Sequence, residues 1–247
     1  MIYSITHGDD PPVVLVAGLG FTRESWHPVI ELLRSGSTTF AYDRPGIGET
    51  PGRADPARPV SYGVLAEELA ELLQESGVDK PMVLAGHSMG ANVVRVFADR
   101  HPAWVAGLVF IDGSLPRLAL PAGDEPPLYD GDEPGASPVD TLAGEVEVRK
   151  STPPPVPAVV LGRTPGWWSS SPIPHPALDE LWQMNQHELA DEHHAPLILA
   201  TDAGHHLPRE APALVAYAID LVVRAVRTGI DPAPTEEEMA AVGGRFG

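Results

Sequence analysis

A serine between two glycines is the first residue pattern in this sequence that could do chemistry. Ser88 stands midway between Gly86 and Gly90, after the apolar run of residues 81–85 and before a segment with helix-like spacing. A strand that turns sharply into a helix holds such a serine out at the strand end, and the glycines leave room where strand and helix approach. The pattern predicts a nucleophilic serine on a strained turn. The amide of Met89, at the start of the helix, is well placed to donate to an oxyanion.

The segments that must position Ser88 alternate between apolar runs and helical patterns. Buried strands are predicted at residues 13–17, 38–42, 81–85, 105–112, 156–161 and 196–200, after a short first strand at residues 2–6. Helices are predicted at residues 25–34, 61–76, 91–98, 176–191 and 210–227. This alternation is typical of the α/β class, with a doubly wound, mostly parallel sheet and helices on both faces. Ligands bind such sheets at the carboxyl ends of the strands, where Ser88 and Asp112 are both expected.

The length of 247 residues suits one α/β domain, interrupted by one segment of different composition. Residues 1–114 and 156–228 are predicted to form the core. Residues 115–155 contain nine prolines and eight acidic residues, which predicts an irregular cap or lid over the carboxyl edge of the sheet. A disordered acidic linker is the alternative for residues 121–140. Residues 229–247 are expected to form a loose C-terminal tail with one turn of helix at residues 236–240.

Composition narrows the classes of partner. The 16 Lys and Arg residues against 34 Asp and Glu residues give a net charge of −18, which argues against nucleic acid and anionic membranes as partners. The chain has no cysteine, so disulfides, thiolate catalysis and cysteine-based zinc sites are excluded. The N-terminus lacks a signal-peptide pattern and no stretch approaches 18 apolar residues, so we expect a cytoplasmic protein. We expect its partner to be a small-molecule substrate. The sequence does not indicate an oligomeric state.

No metal site is predicted. His187 and His193 are six residues apart, which does not place them on one face of a helix, and we expect them and His194 to lie on the surface. We therefore expect a protein that works without metal or cofactor.

Four motifs in order resemble the α/β-hydrolase fold family, from about Val13 to Arg227. They are Gly18-Leu19-Gly20 after a buried strand, Gly86-His87-Ser88-Met89-Gly90, the strand-end Asp112, and Gly204-His205 before a proline-containing helix start. The resemblance implies that Ser88 is the nucleophile and that His205 is the general base. It also implies an oxyanion hole made by the backbone amides of Leu19 and Met89.

The acid of the implied triad is the open point. In most members of the family it follows the strand after the cap, but residues 161–168 contain no carboxylate. Asp112 is preferred, because a minority of members take the acid from the strand before the cap. Asp179, inside a predicted helix, and Asp202, next to the histidine loop, are the alternatives. His206 competes for the role of base, and the Gly-His pattern of the family selects His205.

Ala17 departs from the pattern of the family, and Asp43 needs an interpretation of its own. The family often has histidine before the first glycine of the oxyanion segment, and Ala17 stands there in this chain. The backbone donors can remain without that histidine. Asp43, also at a strand end, is interpreted as structural, holding the following turn by local hydrogen bonds or pairing with Arg44.

Residues near the predicted strand ends are expected to line the substrate pocket. They are Gly18, Gly20, Phe21, His87, Leu115, Trp167 and Trp168. Trp26 is expected in the core instead.

The resulting prediction is a serine hydrolase that cleaves a small, largely apolar ester, thioester or lactone through an acyl-enzyme on Ser88. A ligand-binding protein on the same fold is one alternative. A biosynthetic cyclase or lyase that uses the pocket without an acyl-enzyme is the other.

Overall fold

The computed structural model describes residues 1–78, 80–114, 136–167 and 176–247, with the backbone of residues 128–129. Its strands are β1 (Ile2–Thr6), β2 (Asp9–Val16), β3 (Ser37–Asp43), β4 (Met82–His87), β5 (Val105–Ile111), β6 (Leu128–Tyr129), β7 (Pro138–Val139), β8 (Ala158–Gly162), β9 (Leu197–Ala200) and β10 (Gly244–Phe246). Its α-helices are α1 (His27–Ile30), α2 (Tyr62–Glu75), α3 (Met89–Arg100), α4 (Thr141–Lys150), α5 (Pro176–His193), α6 (Leu207–Glu210), α7 (Pro212–Thr228) and α8 (Glu236–Ala241). Short 3-10 helices lie at Arg23–Trp26 and Pro102–Trp104.

Eight of these strands form one sheet in the order β1-β3-β2-β4-β5-β8-β9-β10. The six inner strands run parallel, and the two edge strands β1 and β10 run antiparallel to their neighbours. The inner strands are continuous apolar runs because helices cover both faces, and all six residues 11–16 at the end of β2 are buried. The predicted mostly parallel α/β sheet is confirmed.

The helices divide between the two faces of the sheet. α2, α3 and α4, with the last turns of α5, pack on one face, and α1, α6, α7 and α8 pack on the other. The sequence explains locally why α2 forms and where it starts. The Ser61 side chain accepts a hydrogen bond from the Val64 amide and so caps the first turn. Its apolar stripe is buried as the periodicity predicts, at Leu65, Leu69, Leu72 and Leu73.

The last nineteen residues contain the helical turn expected at residues 236–240, but otherwise differ from the loose tail expected for them. They contain α8, capped by the Thr235 side chain, and β10, which pairs with β9 through Gly244 and Ala200. Met239 of α8 is fully buried against the core. The open edge of β9 offers unpaired backbone groups, and β10 covers them. Because β10 is only three residues long, its sequence is too short to show the alternation of apolar and polar residues that predicts a strand.

Three other segments depart from the predicted elements. The helix expected at residues 25–34 is shorter, a 3-10 turn followed by α1, whose second residue is Pro28. The helix expected at residues 210–227 is divided at Ala211 into α6 and α7. Residues 141–150, expected to be irregular, form α4, in which Gly144 lies against the ring of Tyr62. The cap prediction for residues 115–127 and 130–135 lies outside the described residues. Within the described ranges, none of the helices combines the length and apolarity that crossing a membrane requires.

Candidate active site

The turn between β4 and α3 carries Ser88 in a conformation that few residues adopt. Ser88 has φ 54° and ψ −121°, which for a residue other than glycine costs about 1–3 kcal/mol. A Cβ atom on Gly86 would overlap the carbonyl of Gly90, and one on Gly90 would overlap the carbonyl of Val16. Both positions therefore require glycine, because strand β2, strand β4 and the start of α3 meet there without room for a methyl group.

Ser88, His205 and Asp112 form one hydrogen-bonded chain at the carboxyl edge of the sheet. The Ser88 Oγ lies 2.9 Å from Nε2 of His205, and Nδ1 of His205 lies 2.6 Å from Oδ2 of Asp112. A neutral imidazole that donates from Nδ1 to the carboxylate leaves Nε2 as the acceptor for the serine hydroxyl. The three side chains come from the ends of β4, β5 and β9, so the sheet itself brings them together.

Asp112 is fully buried and has an unusual backbone, with φ 45°. Burial by itself would raise its pKa, but the hydrogen bond from His205 and the positive charge of Arg163 outweigh burial and lower the pKa. The second carboxylate oxygen accepts from the indole N–H of Trp182 at 2.9 Å and from the Arg163 amide at 3.2 Å. Asp112 is thus held as an ionised carboxylate facing His205.

Arg163 and Asp179 form a further layer behind Asp112. The guanidinium of Arg163 is fully buried at the end of β8 and lies 3.3 Å from Oδ2 of Asp112. Its other terminal nitrogen donates to Asp179 at 2.7 Å, and Asp179 also accepts from the Gly166 amide at 2.7 Å. The structure therefore places Asp179 next to Arg163, and it places Asp112 next to His205. Asp202 is exposed.

Arg163 and Trp182 were missed by the sequence analysis. An arginine directly after a buried apolar strand, at the ligand-binding edge of the sheet, is the signal that could have pointed to Arg163. Trp182 carried no comparable signal, because it lies in the weakly amphipathic helix α5. Its ring packs edge-on against His205, with 5.1 Å between the ring centres.

Helix α5 also holds the backbone beside Asp112. The fully buried carboxamide of Gln186 accepts from the Gly113 amide at 3.2 Å and donates to the Gly113 carbonyl at 2.9 Å. Both hydrogen-bonding groups of Gly113 are satisfied in this way, which fixes the loop that presents Asp112.

The segment expected to supply one oxyanion donor passes directly over Ser88. Gly18 packs so closely that a Cβ there would lie 3.2 Å from the Ser88 Cβ, and Gly20 has φ 72°, which glycine accommodates. The buried guanidinium of Arg44 donates to the carbonyls of Ala17 at 2.8 Å and Gly18 at 2.6 Å. Arg44 thus orders the segment that starts at Ala17, the position at which the sequence lacks the expected histidine.

The other oxyanion donor is expected at Met89, the first residue of α3. The first amides of a helix have no acceptor within the helix, so the Met89 N–H is available to a ligand and lies at the positive end of the helix dipole.

Asp43 has a structural role, but its partner differs from the one expected. It accepts from the Arg23 amide at 2.6 Å and pairs with the Arg23 guanidinium. Arg44, one of the two alternatives expected for Asp43, donates instead to the Ala17 and Gly18 carbonyls. Asp43 thus ties to β3 the 3-10 helix that follows the oxyanion segment.

His87 is buried beneath the site and supports His205. Its Nε2 donates to the His205 carbonyl at 2.7 Å, and Gly18 packs against its other ring nitrogen. Burial, together with the nearby His205, lowers the pKa of His87 to about 3, so its ring is neutral at physiological pH.

His206 is half-buried and packs edge-on against Phe21. Burial and the neighbouring His205 lower its pKa. The imidazole that accepts from the Ser88 hydroxyl is that of His205, as the Gly-His pattern predicts.

The remaining pocket residues are only partly within the described chain. Phe21 is half-buried between the rings of His87 and His206. Trp167 is 48% exposed on the turn after β8. Leu115 and Trp168 lie outside the described residues, and Trp26 is fully buried in the core.

Potential metal ligands do not gather elsewhere in the described part of the chain. Among those residues, no three His, Asp or Glu side chains are grouped closely enough to hold a metal ion. His193 is not the surface residue expected: it packs against Phe110 with 4.7 Å between ring centres, and burial lowers its pKa to about 4.

Comparison with known proteins gives three kinds of similarity. A model of the alpha/beta hydrolase fold matches residues 11–134, half of the chain. A protein of Escherichia coli O157:H7 named "Putative carbamate hydrolase RutD" is 35% identical over 109 residues, which cover 44% of this chain and 40% of that protein. A thermophilic esterase from Thermogutta terrifontis shares the fold with a TM-score of 0.63 at 21% identity, over 92% of this chain and 94% of the esterase. Alpha/beta hydrolase domain-containing protein 10 from mouse gives a TM-score of 0.65 at 20% identity, over 88% and 91% of the two chains.

Proposed function

The chain belongs to the alpha/beta hydrolase fold family, and on that premise we propose that it is a serine hydrolase acting through an acyl-enzyme on Ser88. The observation that carries the proposal is the chain of hydrogen bonds at 2.9 Å and 2.6 Å from Ser88 through His205 to Asp112. A serine hydroxyl is too weakly acidic to attack unaided, and this arrangement supplies both a base and a group that orients the base.

In the proposed reaction, the Ser88 Oγ attacks the carbonyl carbon of the substrate while its proton passes to Nε2 of His205. Asp112 stabilises the resulting imidazolium. When the tetrahedral intermediate collapses, the bond to the leaving group breaks and His205 returns the proton to the departing oxygen or sulfur. A water molecule then attacks the acyl-enzyme with the same proton transfers, releasing the acid and restoring Ser88. Every proton is accounted for by His205 and the water, so the proposed enzyme needs no cofactor.

The amides of Leu19 and Met89 are the proposed oxyanion donors. Arg44 fixes the carbonyls of Ala17 and Gly18, and because the Gly18 carbonyl and the Leu19 amide belong to the same planar peptide, the Leu19 N–H is held in a defined direction. Each such donor contributes about 3–4 kcal/mol of transition-state stabilisation in a water-excluded site.

We propose a small, largely apolar ester, thioester or lactone as the substrate. The apolar ring of Phe21, which packs against His87 and His206 beside the site, supports an uncharged acyl group. The name of the E. coli relative adds carbamates, which carry the same reactive carbonyl carbon, to the classes to be tested.

The test is hydrolysis of p-nitrophenyl esters of increasing acyl length and of a p-nitrophenyl carbamate by wild type and Ser88→Ala. We expect wild type to release p-nitrophenol from at least one ester, and the variant to be slower by about 10⁶-fold. Equal rates for the two folded proteins would reject the acyl-enzyme and favour the cyclase or lyase alternative. Saturable ligand binding without turnover would favour a binding protein.

A further inference from the structure

We propose that Arg163 and Asp179 are positioning residues that together set the pH range in which His205 acts as a base. The inference rests on the proposed function, and it concerns residues outside the Ser88–His205–Asp112 chain. Arg163 contacts Asp112, and Asp179 contacts Arg163, so both influence His205 from beyond Asp112.

The geometry joins four charged or ionisable side chains in a row. His205 binds one oxygen of Asp112, Asp112 lies against one terminal nitrogen of Arg163, and the other terminal nitrogen binds Asp179. The Arg163 side chain is fully buried, while the side chain of Asp179 is 16% exposed. Signs therefore alternate along the row, with a single cation between two carboxylates.

A buried guanidinium is costly to desolvate unless it is paired. Arg163 has carboxylates on two sides, and its guanidinium also lies over the ring of Trp182 at 4.9 Å. The same indole donates to Asp112, so Trp182 holds the cation and the carboxylate together. These contacts fix the guanidinium at the distance at which it can act on Asp112.

The direction of the electrostatic effect follows from the order of charges. Asp112 stabilises the imidazolium form of His205, and the positive charge of Arg163 opposes that stabilisation by repulsion. Asp179 offsets part of the charge of Arg163 from the far side. Removing the Arg163 charge should therefore favour the imidazolium, and removing the Asp179 charge should disfavour it.

Other ionisable groups face His205, and the substitutions leave them in place. His87 lies below the ring and has a pKa lowered to about 3 by burial, so it is neutral over the range of interest. His206 follows in sequence and has a pKa lowered by burial and by His205. Glu210 on α6 binds the Gly204 amide, and Arg209 lies over the Phe21 ring. Asp112 and Trp182 both contact His205 and Arg163, and of these two only Asp112 carries a charge.

The experiment measures the acid limb of kcat/KM against pH for wild type, Arg163→Met and Asp179→Asn. One carboxylate separates the charge of Arg163 from His205, so Arg163→Met should move the midpoint of the acid limb up by about one pH unit. Asp179 is farther away and partly exposed, so Asp179→Asn should move it down by about half a unit. Opposite directions are the signature of charge, because loss of packing alone would lower the rate without separating the two midpoints.

Arg163→Lys is the matched control, since it keeps the charge and loses the planar fork. Its midpoint should stay within about 0.3 units of wild type even where kcat falls. Midpoints that move in the same direction, or do not move, in Arg163→Met and Asp179→Asn would overturn the proposal. If Arg163→Met does not fold, Asp179→Asn decides alone: a lower midpoint supports the proposal and an equal or higher one rejects it.

A second readout does not depend on turnover. The imidazole of His205 can be titrated by NMR in a Ser88→Ala background carrying the same substitutions, with the same opposite shifts expected. If the NMR midpoints separate but no ester is hydrolysed, the electrostatic role stands and the proposed function fails. If esters are hydrolysed but the midpoints coincide, the proposed function stands and the role of Arg163 and Asp179 is rejected.

Discussion

Asp112 and His205 lie 93 residues apart in the chain, yet Oδ2 of one and Nδ1 of the other are 2.6 Å apart at the edge of the sheet. Strand β5 delivers the carboxylate and strand β9 delivers the imidazole, with only β8 between them. The carboxylate comes from the end of β5, which precedes the residues 115–155 that the sequence predicts to form a cap. The end of the following strand supplies Arg163, whose cation faces that carboxylate.

Asp112→Asn should lower kcat by about 10⁴-fold, because an amide cannot stabilise the imidazolium and favours the wrong tautomer of His205. The measurement is steady-state hydrolysis of the best p-nitrophenyl ester, with folding checked by circular dichroism. Asp202→Asn is the matched control: its side chain is exposed and should leave the rate unchanged. A loss in Asp202→Asn comparable to that in Asp112→Asn would reject Asp112 as the acid.

His87 should make the protein less stable in acid. Its pKa is about 3 in the folded protein and about 6.5 in the unfolded chain, so below pH 6.5 the unfolded chain binds a proton that the folded protein does not. The free energy of unfolding should therefore fall as pH drops from 6.5 towards 3, and His87 accounts for roughly 2–3 kcal/mol of this loss at pH 4.5.

Urea unfolding at pH 7 and pH 4.5 measures this contribution. His87→Gln keeps a donor for the His205 carbonyl and does not titrate, so the difference between the two pH values should shrink by that amount. The exposed His187→Gln serves as control and should behave as wild type. An unchanged difference in His87→Gln would mean that His87 is not buried in neutral form.

Gly86→Ala should displace the turn that carries Ser88. The new methyl group would overlap the carbonyl of Gly90 and push α3 away from β4. A shift of this kind at a reacting group costs about 10²-fold in kcat/KM.

Gly77→Ala provides the comparison. Nothing lies within 4 Å of a Cβ there, so the substitution costs stability only through the backbone conformation, whose φ is +74°. Gly77→Ala should lose about 1–2 kcal/mol of stability with kcat/KM unchanged. Full activity in Gly86→Ala would contradict the close approach.

The C-terminal segment should contribute to stability in proportion to its burial. Met239→Ala should lower the free energy of unfolding by about 2–5 kcal/mol, since the side chain is fully buried. Met184→Ala, at a side chain that is 49% exposed, should change it by less than about 0.5 kcal/mol. Chemical unfolding of both variants gives the comparison, and equal small losses would show that α8 does not pack on the core.

Much of the fold could be predicted because its signals are local. The apolar runs that became β2, β4 and β5 and the stripe of leucines on α2 are readable from a few consecutive residues. Strand β10 and helix α4 could not be predicted in the same way. The strand is three residues long and is defined by its partner β9, and the helix is weakly amphipathic and takes its place by packing against Tyr62.

The candidate site likewise contains residues that local motifs predict and contacts that only the folded chain shows. The glycines around Ser88 and the Gly-His pair at residues 204–205 are sequence motifs, so the residues could be named in advance, and their catalytic roles stay predictions. The contacts of Arg44 with the Ala17 carbonyl and of Arg163 with Asp112 join segments that are distant in sequence. No local pattern encodes them, because each depends on which strands are neighbours in the sheet.

Covalent labelling by a fluorophosphonate tests the central claim most directly. Wild-type protein should gain the mass of one phosphonyl group, located by peptide mapping on Ser88, and His205→Ala should react far more slowly because the base is missing. Ser88→Ala should gain no mass. Folded wild-type protein that stays unlabelled, or that carries the label at another residue, would contradict the assignment of Ser88 as an activated nucleophile.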